Sequence, residues 1–133
     1  MVILLDADVI IRGEKRLFDL PAWLRKHVDD SVRVAAITIA ELWHGVERAT
    51  GRQRIIREQY LDAVCATLPV LPYTEQTAYV HARLWATLQA SGQMIGHYDL
   101  IVAAAAIEHD CEIASFNRRH FGMVPGLRVI VPE

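Results

Sequence analysis

Several features are scarce in this chain of 133 residues, and each scarcity excludes a class of protein. The two cysteines, Cys65 and Cys111, are too few for a disulfide framework and lack the paired spacing of a metal site, so we expect buried, reduced thiols. No run of eighteen apolar residues suggests a membrane-spanning helix. Apolar residues make up 53% and charged residues 23%, which argues against disorder. The sequence predicts one globular domain over residues 1–133.

The motifs of several large enzyme classes are also absent. There is no phosphate-binding P-loop, no Gly-x-Gly-x-x-Gly and no Gly-x-Ser-x-Gly, which argues against nucleotide-driven and serine-hydrolase chemistry. No lysine follows Lys26, so the lysine clamp expected of an aspartate-based phosphatase has no candidate. No basic segment precedes the first apolar run, and we therefore expect no signal peptide and a cytoplasmic protein.

The chain has no overall excess of positive charge. A formal net charge of −2 argues against a protein that binds nucleic acid through bulk electrostatics. Basic residues are nevertheless clustered between positions 48 and 57 and at Arg118 and Arg119. A polyanion would bind at such local patches, whereas a solvated helix face is the structural alternative for each cluster.

Short apolar runs alternate with helical patterns along the chain. Five runs have the length of strands, at residues 2–5, 32–37, 68–71, 111–114 and 127–131. Helices are predicted at about 38–49, at 53–66, between Thr74 and Ser91, and at about 98–109; Thr38 and Glu41 have the spacing of a capping box. This alternation predicts an α/β fold, a three-layer α/β/α sandwich with a central parallel sheet.

Carboxylates end the first apolar run, which stops at Asp6 and Asp8. Removing a carboxylate from water costs on the order of several kcal/mol, so these acids mark the exit of a buried strand into a site. Helices that start at the same edge of the sheet would bring Glu41 and Asp99 to it. Gathered carboxylates stay ionised only beside a cation, and oxygen ligands favour Mg²⁺ or Mn²⁺. Such an ion can activate water and offset charge on a phosphodiester.

Each of these residues also has an ordinary structural explanation. Asp6, Asp8 and Asp99 could cap helices, and Glu41 could complete its capping box. Glu41 and His44 have the Glu-x-x-His spacing of di-iron bundles, but the motif occurs once and those sites need it twice. Four further histidines lack the pairwise spacing typical of zinc ligands, so we expect them to be packing or surface residues. They are His81, His97, His109 and His120.

Four segments in series carry a more specific pattern. They are LLDADVII at 4–11, ITIAELWHG at 37–45, IGHYDLIVAAAA at 95–106 and SFNRRHF at 115–121. Together they resemble PIN-domain ribonucleases, and more narrowly the toxins of VapBC-type toxin-antitoxin pairs. The resemblance implies a PIN-like fold and an endoribonuclease that depends on Mg²⁺, with Mn²⁺ as a substitute. It carries the family's metal-coordinating and catalytic acids onto Asp6, Glu41 and Asp99.

The chain departs from the family in its first and last motifs. Where members often have a late aspartate, it has Asn117 and His120; Asn117 is the catalytic candidate because its amide oxygen can orient a water. Ala7 and Asp8 stand where threonine and then asparagine or serine are common. We expect Asp8 to be a replacement metal ligand, because positions 6 and 8 of an extended segment share one side. The fourth ligand and the number of metals stay open.

The resemblance also implies partners. The substrate would be single-stranded or looped RNA, such as tRNA or ribosomal RNA. A cognate antitoxin would block the acids, with assembly as a homodimer or a toxin-antitoxin hetero-oligomer, and Trp23, Trp43 and Trp85 could line its groove. The alternative is a catalytically weakened PIN-like module that binds RNA or protein. The candidates for contacts with RNA phosphates are Arg12, Lys15, Arg118 and Arg119.

Overall fold

Five strands and seven helices make up the chain in a computed structural model that describes residues 1–133. The strands are β1 (Val2–Leu5), β2 (Ser31–Ala35), β3 (Val70–Leu71), β4 (Glu112–Ala114) and β5 (Arg128–Ile130). The helices are α1 (Ala7–Glu14), α2 (Leu20–Lys26), α3 (Ala36–Arg48), α4 (Gly51–Cys65), α5 (Glu75–Ala90), α6 (His97–Glu108) and α7 (Arg118–Phe121). None of the seven helices combines the length and the apolar character that crossing a membrane requires.

The strands form one parallel sheet in the order β3-β2-β1-β4-β5. In the central strand β1, Leu4 lies opposite Arg33 of β2 and Ile113 of β4. The strand order therefore reverses beside β1, with β2 and β3 on one side and β4 and β5 on the other. Ligands of such sheets bind in the crevice outside the carboxyl ends of the strands at this reversal. The end of β1 is thus the expected position of a site.

Helices cover both faces of the sheet, and each face has its own apolar core. On one face, Leu4 packs with Leu84 of α5, the alanines of α6 and Phe121 of α7. On the other face, Ile3 and Leu5 pack with apolar residues of α1, α2, α3 and α4. The predicted α/β/α sandwich with a central parallel sheet is confirmed.

Small side chains determine how closely α6 packs. Its residues 102–106 are one valine and four alanines, and all five are buried. Because alanine adds almost no width to a helix, α6 can lie close to both the sheet and α5. This packing fixes the first turn of α6, which carries Asp99, near the carboxyl end of β1.

The start of α3 differs from the prediction. The strand β2 ends at Ala35 and α3 begins at Ala36, so the strand predicted to 37 and the helix predicted from 38 are both misplaced. Thr38 lies inside the helix, fully buried, and its hydroxyl has no hydrogen-bond partner. The predicted capping box is therefore wrong, because burial of this segment overrides the local capping preference. Glu41 is consequently not engaged as a cap.

Other local predictions have mixed outcomes. The cap at Thr74 is confirmed, since its hydroxyl accepts the Thr77 amide and the Thr77 hydroxyl accepts the Thr74 amide. Both cysteines are free, with Cys111 buried as expected and Cys65 half-buried. Trp23 is only 3% exposed, so the prediction that it lines a partner's groove is wrong. Its ring packs in the apolar core on the face of the sheet that α2 covers.

Candidate active site

Asp6 and Ser115 meet where β1 and β4 end side by side. Asp6 directly follows β1 and caps α1, with Oδ1 accepting the Ala7 amide at 2.9 Å. Ser115 directly follows β4, and its hydroxyl donates to Asp6 Oδ2 at 2.7 Å. The backbone continues the pairing, because the Asp6 amide donates to the Ala114 carbonyl at 3.0 Å. Both side chains are almost fully buried, so the carboxylate is held in one orientation.

Asp8 lies beside Asp6 but not for the predicted reason. It is in the first turn of α1 rather than in an extended segment, so alternation along a strand does not place it. Its Oδ2 accepts the Phe116 amide at 3.1 Å and lies 3.3 Å from the Ser115 hydroxyl. Ser115 therefore lies between the two acids. The backbone amide of Asn117 donates to the same hydroxyl oxygen at 2.9 Å, and this bond fixes the orientation of the Ser115 side chain.

Glu41 reaches the site from the second turn of α3. Its Oε1 is buried and has no hydrogen-bond partner. A buried carboxylate oxygen without a donor costs about 1 to 3 kcal/mol or more, so such atoms are rare in folded proteins. This oxygen therefore calls for a proton or for a positively charged group from outside the chain.

Asp99 enters from the first turn of α6, whose cap is Gly96, so the reading of Asp99 as a cap is wrong. Its Oδ2 lies 3.5 Å from His120 Nδ1. The same ring nitrogen is 2.9 Å from the side-chain amide of Asn117. His120 Nδ1 accepts from the Asn117 side-chain amide when it carries no hydrogen, and a protonated ring would form an ion pair with Asp99. His120 thus adds a contact with Asp99 to those that the same motif makes through Ser115 with Asp6 and through Phe116 with Asp8.

Burial and mutual repulsion raise the pKa values of these acids. The pKa values of Asp6 and Glu41 are each raised to about 7, mainly by removal from water and in smaller part by the negative charges of Asp8 and Asp99. Burial also raises the pKa of Asp8, which hydrogen bonding from Phe116 opposes. Without a cation, the cluster retains protons near neutral pH.

The cluster has the chemistry of a site for a hard divalent cation. All its donors are carboxylate oxygens, one of them unpartnered, and their mutual repulsion is what a positive ion would relieve. No three acidic, histidine or cysteine side chains converge closely enough to enclose an ion. Mg²⁺ needs no such cage, because it usually keeps several waters and takes one or two carboxylates. The residues therefore fit a hydrated ion.

The predicted contacts to RNA phosphates are exposed near these acids. The guanidinium of Arg12 stacks 4.4 Å from the centre of the Phe116 ring and lies near Asp8. Lys15 lines a cleft of about 200 Å³ that Glu41 also lines. Arg118 and Arg119 begin α7 and are both exposed.

Sequence reasoning missed two residues of this region. The sequence motif alone does not single out Ser115, although a small hydroxyl directly after a buried strand is a usable signal. Arg57 of α4 lines the same cleft as Glu41, donating to Glu14 at 2.8 Å and to the Gly45 carbonyl at 3.3 Å. Nothing in the basic stretch distinguishes Arg57 from its neighbours, because its contacts join distant segments.

Raised carboxyl pKa values make stability depend on pH. Between the ordinary values of 3.8 and 4.5 and a pH of about 7, folded Asp6 and Glu41 keep protons that the unfolded chain has lost. We therefore expect the free energy of unfolding of the metal-free protein to fall as pH rises through 7. Asp6→Asn should raise the Tm at pH 8 by roughly 5 °C and change it little at pH 4.

Thermal melts across this pH range check the effect, with Asp62→Asn, an exposed acid of α4, as the matched control. Identical pH profiles for Asp6→Asn and the parent would contradict the burial of a strained carboxylate.

Comparisons with known proteins identify the family of this chain. A model of the PIN domain matches residues 3–126. The "VapC ribonuclease Y4jK" of Sinorhizobium fredii is 31% identical over 139 residues, which covers 98% of this chain and 97% of the relative. A crystal structure of VapBC2 from Rickettsia felis, bound to a DNA fragment from its promoter, superposes with a TM-score of 0.90 over 98% of each chain. At 20% identity, this second likeness shows the fold alone.

A further structure is similar in both sequence and fold. It is described as a member of the VapBC family of toxin-antitoxin systems, VapBC-5 from Mycobacterium tuberculosis. It is 27% identical, covers 98% of this chain and 96% of its own, and has a TM-score of 0.74. The domain match over nearly the whole chain and the full-length VapC relative confirm the resemblance seen in the four motifs. This chain therefore belongs to the PIN-domain family, and within it to the VapC proteins.

Proposed function

We propose that the chain is an endoribonuclease dependent on Mg²⁺ or Mn²⁺ that acts as the toxin of a toxin-antitoxin pair. The observation that carries this proposal is the mutual repulsion of four neighbouring acids from α1, α3, α6 and the end of β1, with one carboxylate oxygen lacking any partner in the chain. The name of the Sinorhizobium fredii relative, a ribonuclease, supports RNA as the substrate.

Each acid has a part in holding the ion. Asp6, Glu41 and Asp99, with Asp8 as the fourth candidate, would hold the hydrated cation, one or two of them directly and the others through its waters. When bound, such an ion supplies a Lewis acid that neutralises charge on the phosphodiester and lowers the pKa of water. Ser115 holds the carboxylate of Asp6 in place by donating to it.

The last motif lies at the mouth of the site. Asn117 orients the His120 ring through its amide, and His120 is placed to hold or pass a proton at Nδ1 beside Asp99. We propose that Asn117 acts through this histidine, or on a water next to it. The phosphates of the RNA would contact the four exposed cations Arg12, Lys15, Arg118 and Arg119.

We further propose tRNA or ribosomal RNA as the target and a cognate antitoxin as the partner, acting in the cytoplasm. The Mycobacterium tuberculosis neighbour, which belongs to a toxin-antitoxin system, supports the antitoxin. Assembly as a homodimer or as a toxin-antitoxin hetero-oligomer is part of the same proposal. Of the tryptophans, Trp85 is 46% exposed and is the one most available to a partner.

Cleavage of RNA is the direct test. Purified protein, free of antitoxin, should cut total RNA in the presence of Mg²⁺ or Mn²⁺, and chelation should abolish the activity. Asp99→Asn should lower the cleavage rate by about 100-fold or more, since it removes one charge at the reacting centre. Gel analysis of the products measures this, with Asp62→Asn as the control.

Two results would argue against the proposal. Equal cleavage by the parent and Asp99→Asn would indicate a contaminating nuclease. RNA binding without cleavage would favour the catalytically weakened module, which the missing late aspartate makes the second candidate.

The role of Asp8 can be tested separately from catalysis. Asp8→Asn keeps an oxygen that can accept the Phe116 amide but removes the charge, so we expect Mn²⁺ affinity to fall by about ten-fold or more. Isothermal titration calorimetry measures the affinity, again beside Asp62→Asn. Unchanged affinity would restrict Asp8 to anchoring the Phe116 amide.

A further inference from the structure

A small cleft lies between α3 and α6, next to the acids. It has a volume of about 230 Å³ and is lined by Ala40, Glu41, His44 and Tyr98. Because Glu41 belongs to its wall, any group that occupies the cleft lies beside the candidate cation site. The volume is below the roughly 300 Å³ at which pockets for drug-sized ligands begin, so the cleft suits a single planar ring.

Each ring in the cleft is attached close to a candidate acid. Tyr98 directly precedes Asp99 in the first turn of α6. His44 follows Glu41 by three residues, so the two lie on one face of α3, about one turn apart. The packing of α3 against α6 brings the two rings to opposite walls. Their positions relative to the acids are thus set by rigid helices.

Tyr98 differs from the other exposed aromatic residues of the chain. Tyr73 hydrogen-bonds to His81, Tyr79 donates to Glu75, and Trp85 stacks on His81. Tyr98 is 56% exposed and has neither an aromatic partner nor a side-chain hydrogen bond. An exposed ring without an internal partner, placed next to reacting groups, is a feature of binding surfaces.

We propose that Tyr98 and His44 form a subsite for one unpaired nucleobase next to the scissile phosphate. The base stacks on the Tyr98 ring, and the His44 nitrogens, one donor and one acceptor, contact its edge. This inference rests on the proposed ribonuclease function and deepens it. The bases of a duplex are stacked on each other and cannot enter such a cleft, so the subsite selects single-stranded or looped RNA.

An abasic scan combined with substitution tests the subsite. Short RNAs that the protein cuts are prepared with a single abasic nucleotide at each position flanking the cut, and kcat/KM is measured for each. Tyr98→Ala should lower kcat/KM on intact RNA by roughly ten-fold, the size expected for one stacked base. For the parent, one abasic position should cause a similar loss, and Tyr98→Ala should show no further loss there.

Two variants serve as matched controls. Tyr98→Phe keeps the ring and should retain both the activity and the sensitivity to the abasic position. Tyr79→Ala removes an exposed tyrosine of α5 that does not line the cleft and should behave like the parent. The same RNAs are also measured by fluorescence anisotropy without metal, which gives the coupling between Tyr98 and the base from binding alone.

The outcomes separate this inference from the proposed function. Coupling in binding without any cleavage would overturn the nuclease and retain the subsite. A normal kcat/KM for Tyr98→Ala would overturn the subsite and retain the nuclease. The same conclusion would follow if the loss from Tyr98→Ala added independently to the loss from the abasic nucleotide at every position. Normal cleavage by Tyr98→Ala, together with weaker self-association or antitoxin binding, would assign the cleft to a protein partner instead.

Discussion

The rest of the site depends on negative charge held at the carboxyl end of the central strand. Asp6 is 4% exposed, and its neighbours in space are other acids rather than cations. Hydrogen bonds from Ser115 and the Ala7 amide offset part of the cost of its burial. The part of this cost that the hydrogen bonds do not offset keeps the pKa of Asp6 at about 7. A buried carboxylate with a raised pKa, lying next to an unpartnered Glu41 oxygen, is typical of a functional site.

The architecture explains why this strain can persist. The strand β1 is covered on both faces, and the site lies outside its end, where the order of the sheet reverses. The helix α3 follows β2 without a loop, and α6 is held close by its alanines, so Glu41 and Asp99 are attached to rigid elements. The large apolar core therefore supplies the stability that the acids reduce.

Much of this arrangement could be predicted from the sequence, for a specific reason. Parallel strands end at one edge, so acids that follow or flank them must gather, and Asp6, Glu41 and Asp99 do so. The predicted capping box was wrong because the same residues are compatible with a helix that begins two residues earlier, at Ala36. Ser115 and Arg57 were missed because their partners lie far away in sequence. Local patterns carry no information about such contacts.

Proton release on cation binding tests the central claim most directly. If buried acids with pKa values near 7 hold the ion, Mn²⁺ must displace their protons at pH 7. Calorimetric titrations in two buffers of different ionisation enthalpy count the protons released. We predict about one proton for the parent and clearly fewer for Glu41→Gln, whose unpartnered group no longer titrates. Mn²⁺ binding without proton release, or no binding at all, would contradict the account.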